Sequence, residues 1–142
     1  MKKAYLLFFA LVTAFCSFAQ GSNKMPQSLV FAQKMTSELV KIYNLTPSQA
    51  SEAQKIQEAK YVALVKIEPL KTKDMQKYIA KRLSTFETAD NSLMVLLDAS
   101  QMLIFKKQQI EKSNRYDEIV AGMKKQGIPF TEIEKKLAET EF

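Results

Sequence analysis

The 142-residue sequence contains no histidine and no tryptophan, and its only cysteine is Cys16. Without histidine, catalytic triads with an imidazole base and zinc sites with His ligands are excluded. A single cysteine forms no disulfide within the chain and cannot supply a four-cysteine zinc site. We therefore expect a protein that is not an enzyme and that holds no cofactor or metal.

Carboxylates remain as ligands for hard metal ions, because Asp117 and Glu118 are adjacent and Glu132 lies close to Glu134. No spacing resembles a calcium-binding loop, and neighbouring acids on a helix usually form a solvated face. Composition also leaves a Ser-Lys dyad open, although no pattern marks one. A metal-responsive protein that uses carboxylates stays as one alternative function.

Glycine and proline are scarce too, with three and four residues. The alternation of apolar and polar residues that is typical of strands appears nowhere, whereas three- and four-residue apolar spacing recurs along the chain. The first such segment has its apolar residues at Leu29, Ala32, Met35, Leu39 and Ile42. These patterns predict an all-α protein of long amphipathic helices.

No apolar run reaches the roughly 20 residues of a membrane span. The run at residues 4–15 follows two lysines and precedes a short stretch that ends at Ala19. This order predicts a secretory signal peptide at residues 1–19, so the exported product would have no membrane span. Cys16 would be removed with the signal peptide. Lipidation of Cys16 is the alternative, but Phe15 stands where lipoprotein cleavage requires a small residue.

Cleavage after Ala19 would leave 123 residues, one domain's worth, with 19 Lys and Arg against 15 Asp and Glu. This excess can attract acidic surfaces or unfolded chains but is too small for a nucleic-acid footprint, so we expect no nucleic-acid partner. Residues 20–27 are polar and include Gly21 and Pro26, which predicts a flexible lead.

Two five-residue stretches, 52 positions apart, organise the rest of the chain. They are Leu45-Thr46-Pro47-Ser48-Gln49 and Leu97-Asp98-Ala99-Ser100-Gln101. In each, the Thr46 or Asp98 side chain can accept hydrogen bonds from the free N–H groups of a first helical turn. Gln49 or Gln101 can reach back to the N–H of the cap, which completes a capping box. The leucine before each cap stands where a hydrophobic staple begins.

These stretches resemble the LTxxQ-motif family of small periplasmic proteins, of the Spy and CpxP type. The first matches fully, and the second matches at Leu97 and Gln101 with Asp98 in place of Thr. The resemblance covers residues 28–126 as a helical domain and leaves 127–142 as a short C-terminal helix and tail. Some family members bind zinc through histidine-rich segments, which this sequence lacks.

The resemblance implies a periplasmic location and a thin, curved dimer of long, kinked helices in a hairpin-like arrangement. It also implies a concave, basic and partly apolar face that binds unfolded or misfolded proteins without ATP. An ATP-independent holdase or envelope-stress protein is therefore the leading hypothesis. The alternative is a regulatory adaptor that binds the periplasmic domain of a sensor kinase. A homodimer is also expected because about 120 residues in long helices close a core with difficulty.

The best candidate binding segment is residues 66–82. It contains six cations and two carboxylates and so has a net charge of +4. Lys73, Lys77 and Lys81 are spaced by four, which predicts one shared helical face. Methionine and the long stems of lysine adapt to varied shapes. The candidate client-binding residues are Lys66, Lys73, Met75, Lys77, Tyr78, Lys81 and Arg82.

Pro69 predicts a kink or a break near residues 66–68, because proline in a helix interior removes a hydrogen bond and clashes with the preceding turn. Asp90-Asn91 offers a turn, although a continuous helix is also open. The apolar run 93–97 cannot lie on one helical face. It is either buried on several sides or contacts a second subunit.

Three further boundaries follow from local patterns. Ser28 is predicted to cap the first helix, and Gly127 to end the helix that starts at Asp98. Thr131 and Glu134 have the spacing of a third capping box, which predicts a short terminal helix.

Overall fold

The computed structural model describes residues 26–139, so the predicted signal peptide, Cys16, most of the lead and residues 140–142 lie outside the described part. Residues 26–139 form six helices and no strand, which confirms the all-α prediction. No helix in this range is both long and apolar enough to cross a membrane. The helices are α1 Gln27–Tyr43, α2 Pro47–Ile67, α3 Leu70–Lys73, α4 Met75–Leu96, α5 Ala99–Lys125 and α6 Phe130–Glu139.

The longer helices run in alternating directions, and the closest packing is between α1 and α2 and between α2 and α4. Phe31 near the start of α1 stacks on Tyr61 near the end of α2, with ring centroids 6.0 Å apart. The other face of α2 packs on α4. The side-chain amide of Gln109 on α5 donates to the Asp90 carboxylate on α4 at 3.3 Å. α6 contacts both α4 and α5 and so closes the far end of that pair.

The largest apolar cluster lies where α1 ends, α2 begins, α4 ends and α5 begins. Its buried members are Tyr43, Leu45, Ala53, Leu93 and Phe105. Partly buried side chains pack around them, namely Leu39, Val40, Met94, Leu96, Leu97 and Met102. Both predicted staple leucines therefore belong to one core, and the two capping boxes sit at its edge.

The apolar run 93–97 is directed mainly into this core. Leu93 is 4% exposed, and Met94, Leu96 and Leu97 pack against the cluster, whereas Val95 is 90% exposed. Of the two interpretations left open by the sequence, burial on several sides accounts for four of the five side chains. Within this run, Val95 alone is exposed enough to contact another molecule.

The chain breaks at Pro69, as predicted, and again at Asp74. α2 ends at Ile67, Pro69 precedes the single turn of α3, and Asp74 has φ −158° and ψ 86°. The Asp74 carboxylate accepts a hydrogen bond from the N–H of Lys77 at 3.0 Å and so caps α4. The second break was not predicted, although aspartate is a favoured N-cap residue. α4 then runs without interruption through Asp90 and Asn91.

Two predicted caps are wrong because a proline takes their place. α1 begins at Gln27 with Pro26 as its N-cap, so Ser28 lies inside the helix. α6 begins at Phe130, and the Pro129 carbonyl accepts from the N–H groups of residues 132 and 133 at 3.0 and 3.1 Å. Thr131 therefore lies in the first turn of α6 and forms no capping box. In both cases helical geometry begins directly after the proline.

The end of α5 and the packing of α6 agree better with the predictions from the sequence. Gly127 has φ 71°, and its N–H donates to the Lys124 carbonyl at 3.0 Å while the next N–H reaches the Met123 carbonyl at 3.2 Å. This left-handed terminus confirms the predicted stop. Ile133 is 1% exposed, and Leu137 is also buried, so α6 is anchored on its apolar side.

A buried amide on α2 gives a first prediction. Gln57 is 4% exposed, and its Oε1 has no hydrogen-bond partner among the described residues. A buried polar atom without a partner costs about 1–3 kcal/mol. We expect Gln57→Met, of similar length and flexibility, to raise the free energy of unfolding by about 1 kcal/mol in urea denaturation. Gln76→Met on the exposed side of α4 should give no gain, and a loss of stability in Gln57→Met would contradict this reasoning.

Candidate functional site

Both predicted capping boxes are present. The Thr46 hydroxyl accepts from the Gln49 N–H at 3.3 Å, and Gln49 Oε1 accepts from the Thr46 N–H at 3.0 Å. Asp98 Oδ1 accepts from the N–H groups of Ser100 and Gln101, both at 2.8 Å, while Gln101 Oε1 accepts from the Asp98 N–H at 3.0 Å. The sequence therefore located the starts of α2 and α5 correctly.

The two glutamines of the boxes also bind each other. Gln49 Nε2 donates to Gln101 Oε1 at 2.8 Å, and Gln101 Nε2 donates to Gln49 Oε1 at 3.1 Å. Each amide further donates to a backbone carbonyl two residues before the other cap, Leu96 for Gln49 at 2.9 Å and Asn44 for Gln101 at 3.4 Å. We call Gln49 and Gln101 the amide pair. The amide pair joins the starts of α2 and α5. It was not predicted from the sequence.

The motif residues are therefore engaged with the protein itself. Gln101 is buried, as is Leu45, and the polar atoms of the amide pair are occupied by caps, carbonyls and each other. Tyr43 strengthens the same junction because its hydroxyl donates to Gln108 Oε1 on α5. Burial, assisted by the negative charge of Asp90, raises the pKa of Tyr43 and keeps it a donor. These contacts connect the end of α1 and the start of α2 to the first half of α5.

The cap at Asp98 gives a pH prediction. Hydrogen bonds from the Gln101 N–H and the Ser100 hydroxyl lower the pKa of Asp98 below its ordinary value of about 4. Its contribution to stability is complete above the unfolded-state pKa and disappears as pH falls through the folded-state pKa. We expect the stability difference between the wild type and Asp98→Asn, which still caps, to narrow below about pH 4. Thermal melts of both proteins between neutral and strongly acidic pH measure it, and a constant difference would contradict it.

The predicted binding lysines lie at the end of the molecule away from the amide pair. Lys66 lies in the last turn of α2, Lys73 ends α3, and Lys77 and Lys81 lie in the first half of α4. All four are exposed, and none forms an ion pair with a side chain that the structure describes. We call these four lysines the basic tip.

The basic tip is arranged differently from the prediction in one respect. Lys73, Lys77 and Lys81 were expected on one helical face, but the break at Asp74 leaves Lys73 on α3, while Lys77 and Lys81 share α4. A mobile lysine side chain spans several ångströms. The lysines therefore form a surface around a turn and do not form a single stripe.

Three other candidates have different environments. Tyr78 is 4% exposed and lies on the buried side of α4 together with Ala89 and Leu93, so it is not available at the surface. Met75 is half-buried. The guanidinium of Arg82 is directed away from the basic tip, towards Phe86, with its Cζ 4.9 Å from the ring centroid.

Exposed apolar side chains accompany the basic tip. Val62 and Val65 lie on the last two turns of α2, next to Lys66, and are 38% and 61% exposed. Leu83 on α4 is 65% exposed. Val62, Val65 and Leu83 were not predicted as binding residues, although the position of the two valines beside Lys66 in the chain was a usable signal. The surface that includes the basic tip is therefore both basic and partly apolar.

A second group of cations surrounds Phe86. The Lys60 Nζ and the Lys112 Nζ lie 5.3 and 5.8 Å from its ring centroid, in addition to Arg82. The three cations come from α2, α4 and α5. Their distances fall within the range of cation–π attraction. Only Arg82 and Phe86, four residues apart on one helix, could be paired from the sequence.

Comparisons with known proteins identify no relative of the chain. No protein-family model matches the chain, and searches of curated proteins and of solved structures give no match. Within residues 26–139, no three Asp, Glu, Cys or His side chains gather as a metal-binding group would. The likeness to LTxxQ proteins therefore depends on the two motifs.

Proposed function

We propose that the chain is an ATP-independent holdase of the periplasm, of the LTxxQ type, that binds unfolded or misfolded envelope proteins. The observation that carries this proposal is the basic tip, four exposed lysines that have no ion-pair partner among the described side chains, beside the exposed Val62 and Val65. Unfolded chains present varied mixtures of apolar and acidic groups. A surface of flexible cations and small apolar patches can contact many such chains weakly.

Electrostatic attraction would bring unfolded clients to this surface. The segment 66–82 has a net charge of +4, and its lysines are exposed, so it attracts acidic stretches before apolar contacts form. Exposed charge pairs contribute about 1 kcal/mol or less each and are screened by salt. Clients would therefore be held reversibly and released without nucleotide hydrolysis.

A homodimer is the second part of the proposal. α5 exposes Leu103 by 70% and Ile110 by 62%, and these residues are seven apart and share one side of the helix. Ile104 beside them is 41% exposed. A second copy that covered this side of α5 would bury these three side chains in a dimer interface. Analytical ultracentrifugation of the mature chain should give twice the monomer mass.

An aggregation assay tests the holdase directly. The mature chain is added at a stoichiometric ratio to a reduced or heat-denatured model protein, and light scattering is followed at rising salt. We expect strong suppression at low salt and weaker suppression at high salt. No suppression at the stoichiometric ratio would refute the proposal. Saturable binding to one acidic folded domain in place of many unfolded chains would favour the sensor-kinase adaptor.

A further inference from the structure

α4, α5 and α6 line a half-open pocket of about 180 Å³ near the end where α6 contacts the other two helices. Its walls are mainly apolar and include Ile79, Leu83 and Phe86 from α4 and Leu137 from α6. An engineered cavity of about 150 Å³ lined by Leu, Ile and Phe is large enough to bind benzene. The pocket therefore has room for an apolar group of at least that size.

The charged side chains of the pocket wall carry a net positive charge. Arg82 and Lys112 both line it, and neither forms an ion pair with a described side chain. Both lie within 6 Å of the Phe86 centroid, at 4.9 Å for the Arg82 Cζ and 5.8 Å for the Lys112 Nζ. Glu134 is the one carboxylate among the described lining residues, which therefore include two cations and one anion. A ligand that fits this charge has an apolar body and an anionic head.

We propose that this pocket binds a free medium-chain fatty acid, with its carboxylate between Arg82 and Lys112 and its alkyl chain among the apolar walls. A peptide fits less well because its backbone N–H and C=O groups would find few partners on these walls. The exposed Leu83, at the pocket edge, can cover the part of the chain that extends beyond the cavity. None of the four lysines of the basic tip lines this pocket, although Leu83 borders both surfaces, so the assignment does not depend on the holdase proposal.

Calorimetric titration of the mature full-length chain with three probes tests the assignment. Decanoate, kept below its micelle concentration, should bind with one site per chain. Acetate has the head without the chain and should show no binding, and decyltrimethylammonium has the chain with the opposite charge and should bind at least about tenfold more weakly. Equal affinity for the two decyl compounds, or no binding of decanoate, would overturn the proposal.

Two double variants locate the site. Arg82→Gln with Lys112→Gln should weaken decanoate binding at least about tenfold, because charge-assisted hydrogen bonds to the carboxylate are lost. Lys34→Gln with Lys106→Gln removes the same charge from exposed positions on α1 and α5 and should leave the affinity unchanged. Equal losses in both variants would show a non-specific charge effect and refute the site. Binding to anionic phospholipid vesicles without binding of free decanoate would refute it as well.

Discussion

Gln49→Ala and Gln101→Ala will each lower the free energy of unfolding by about 2–4 kcal/mol. Each substitution removes a capping-box bond, worth about 1 kcal/mol, and also both hydrogen bonds of the amide pair. It further leaves a carbonyl, that of Leu96 or of Asn44, without its side-chain donor. Urea denaturation followed by circular dichroism measures the loss. Gln76→Ala, on the exposed side of α4, should change stability by less than about 0.5 kcal/mol.

The double variant separates the amide pair from the two caps. Because each amide loses its partner in either single variant, Gln49→Ala with Gln101→Ala should cost at least about 1 kcal/mol less than the sum of the single losses. Strictly additive losses would mean that the two boxes act as independent helix caps. The coupling would then reside elsewhere in the junction, for example in the contact of Tyr43 with α5.

Charge reversal at the basic tip should abolish most of the suppression of aggregation. Lys73→Glu with Lys77→Glu changes the net charge of segment 66–82 from +4 to zero. We expect affinity for an unfolded chain to fall at least about fivefold, because electrostatic attraction is lost while the valines remain. The melting temperature should change little, since both side chains are exposed and unpaired among the described residues. Fluorescence anisotropy with a labelled unfolded protein measures the affinity.

A matched control variant tests whether the loss of affinity is specific to the basic tip. Lys34→Glu with Lys106→Glu changes the total charge by the same amount at exposed positions on α1 and α5. It should retain at least about half of the wild-type affinity at moderate salt, because screening limits the reach of a surface charge to about 10 Å. If both variants lose affinity equally, the overall charge of the protein, and not the basic tip, holds the client.

Interactions between residues close in the sequence explain why many helix starts and ends could be predicted. The boxes at Thr46 and Asp98, the proline break and the glycine stop each depend on groups a few residues apart. Predictions failed where two local signals competed. Pro26 displaced Ser28 as the cap of α1, and Pro129 displaced Thr131 at the start of α6.

Features that depend on long-range contacts were not predictable in this way. The amide pair joins residues 52 positions apart, and nothing local specifies that Gln49 and Gln101 meet. Tyr78 was selected among lysines as a surface residue, but packing of α4 buries it. The approach of Lys112 to Phe86 likewise depends on how α5 lies beside α4. The exposure of the lysines was easier to predict, since unpaired lysine is rarely buried.

One measurement tests the central claim most directly. The isotopically labelled chain from Gln20 onwards is titrated with a permanently unfolded, reduced and alkylated protein, and its backbone amide resonances are followed by nuclear magnetic resonance. The account predicts shifts and broadening concentrated at residues 62–83, with the amide pair at Gln49 and Gln101 unperturbed. No perturbation at stoichiometric concentrations, or changes confined to α1 and the second half of α5, would contradict it.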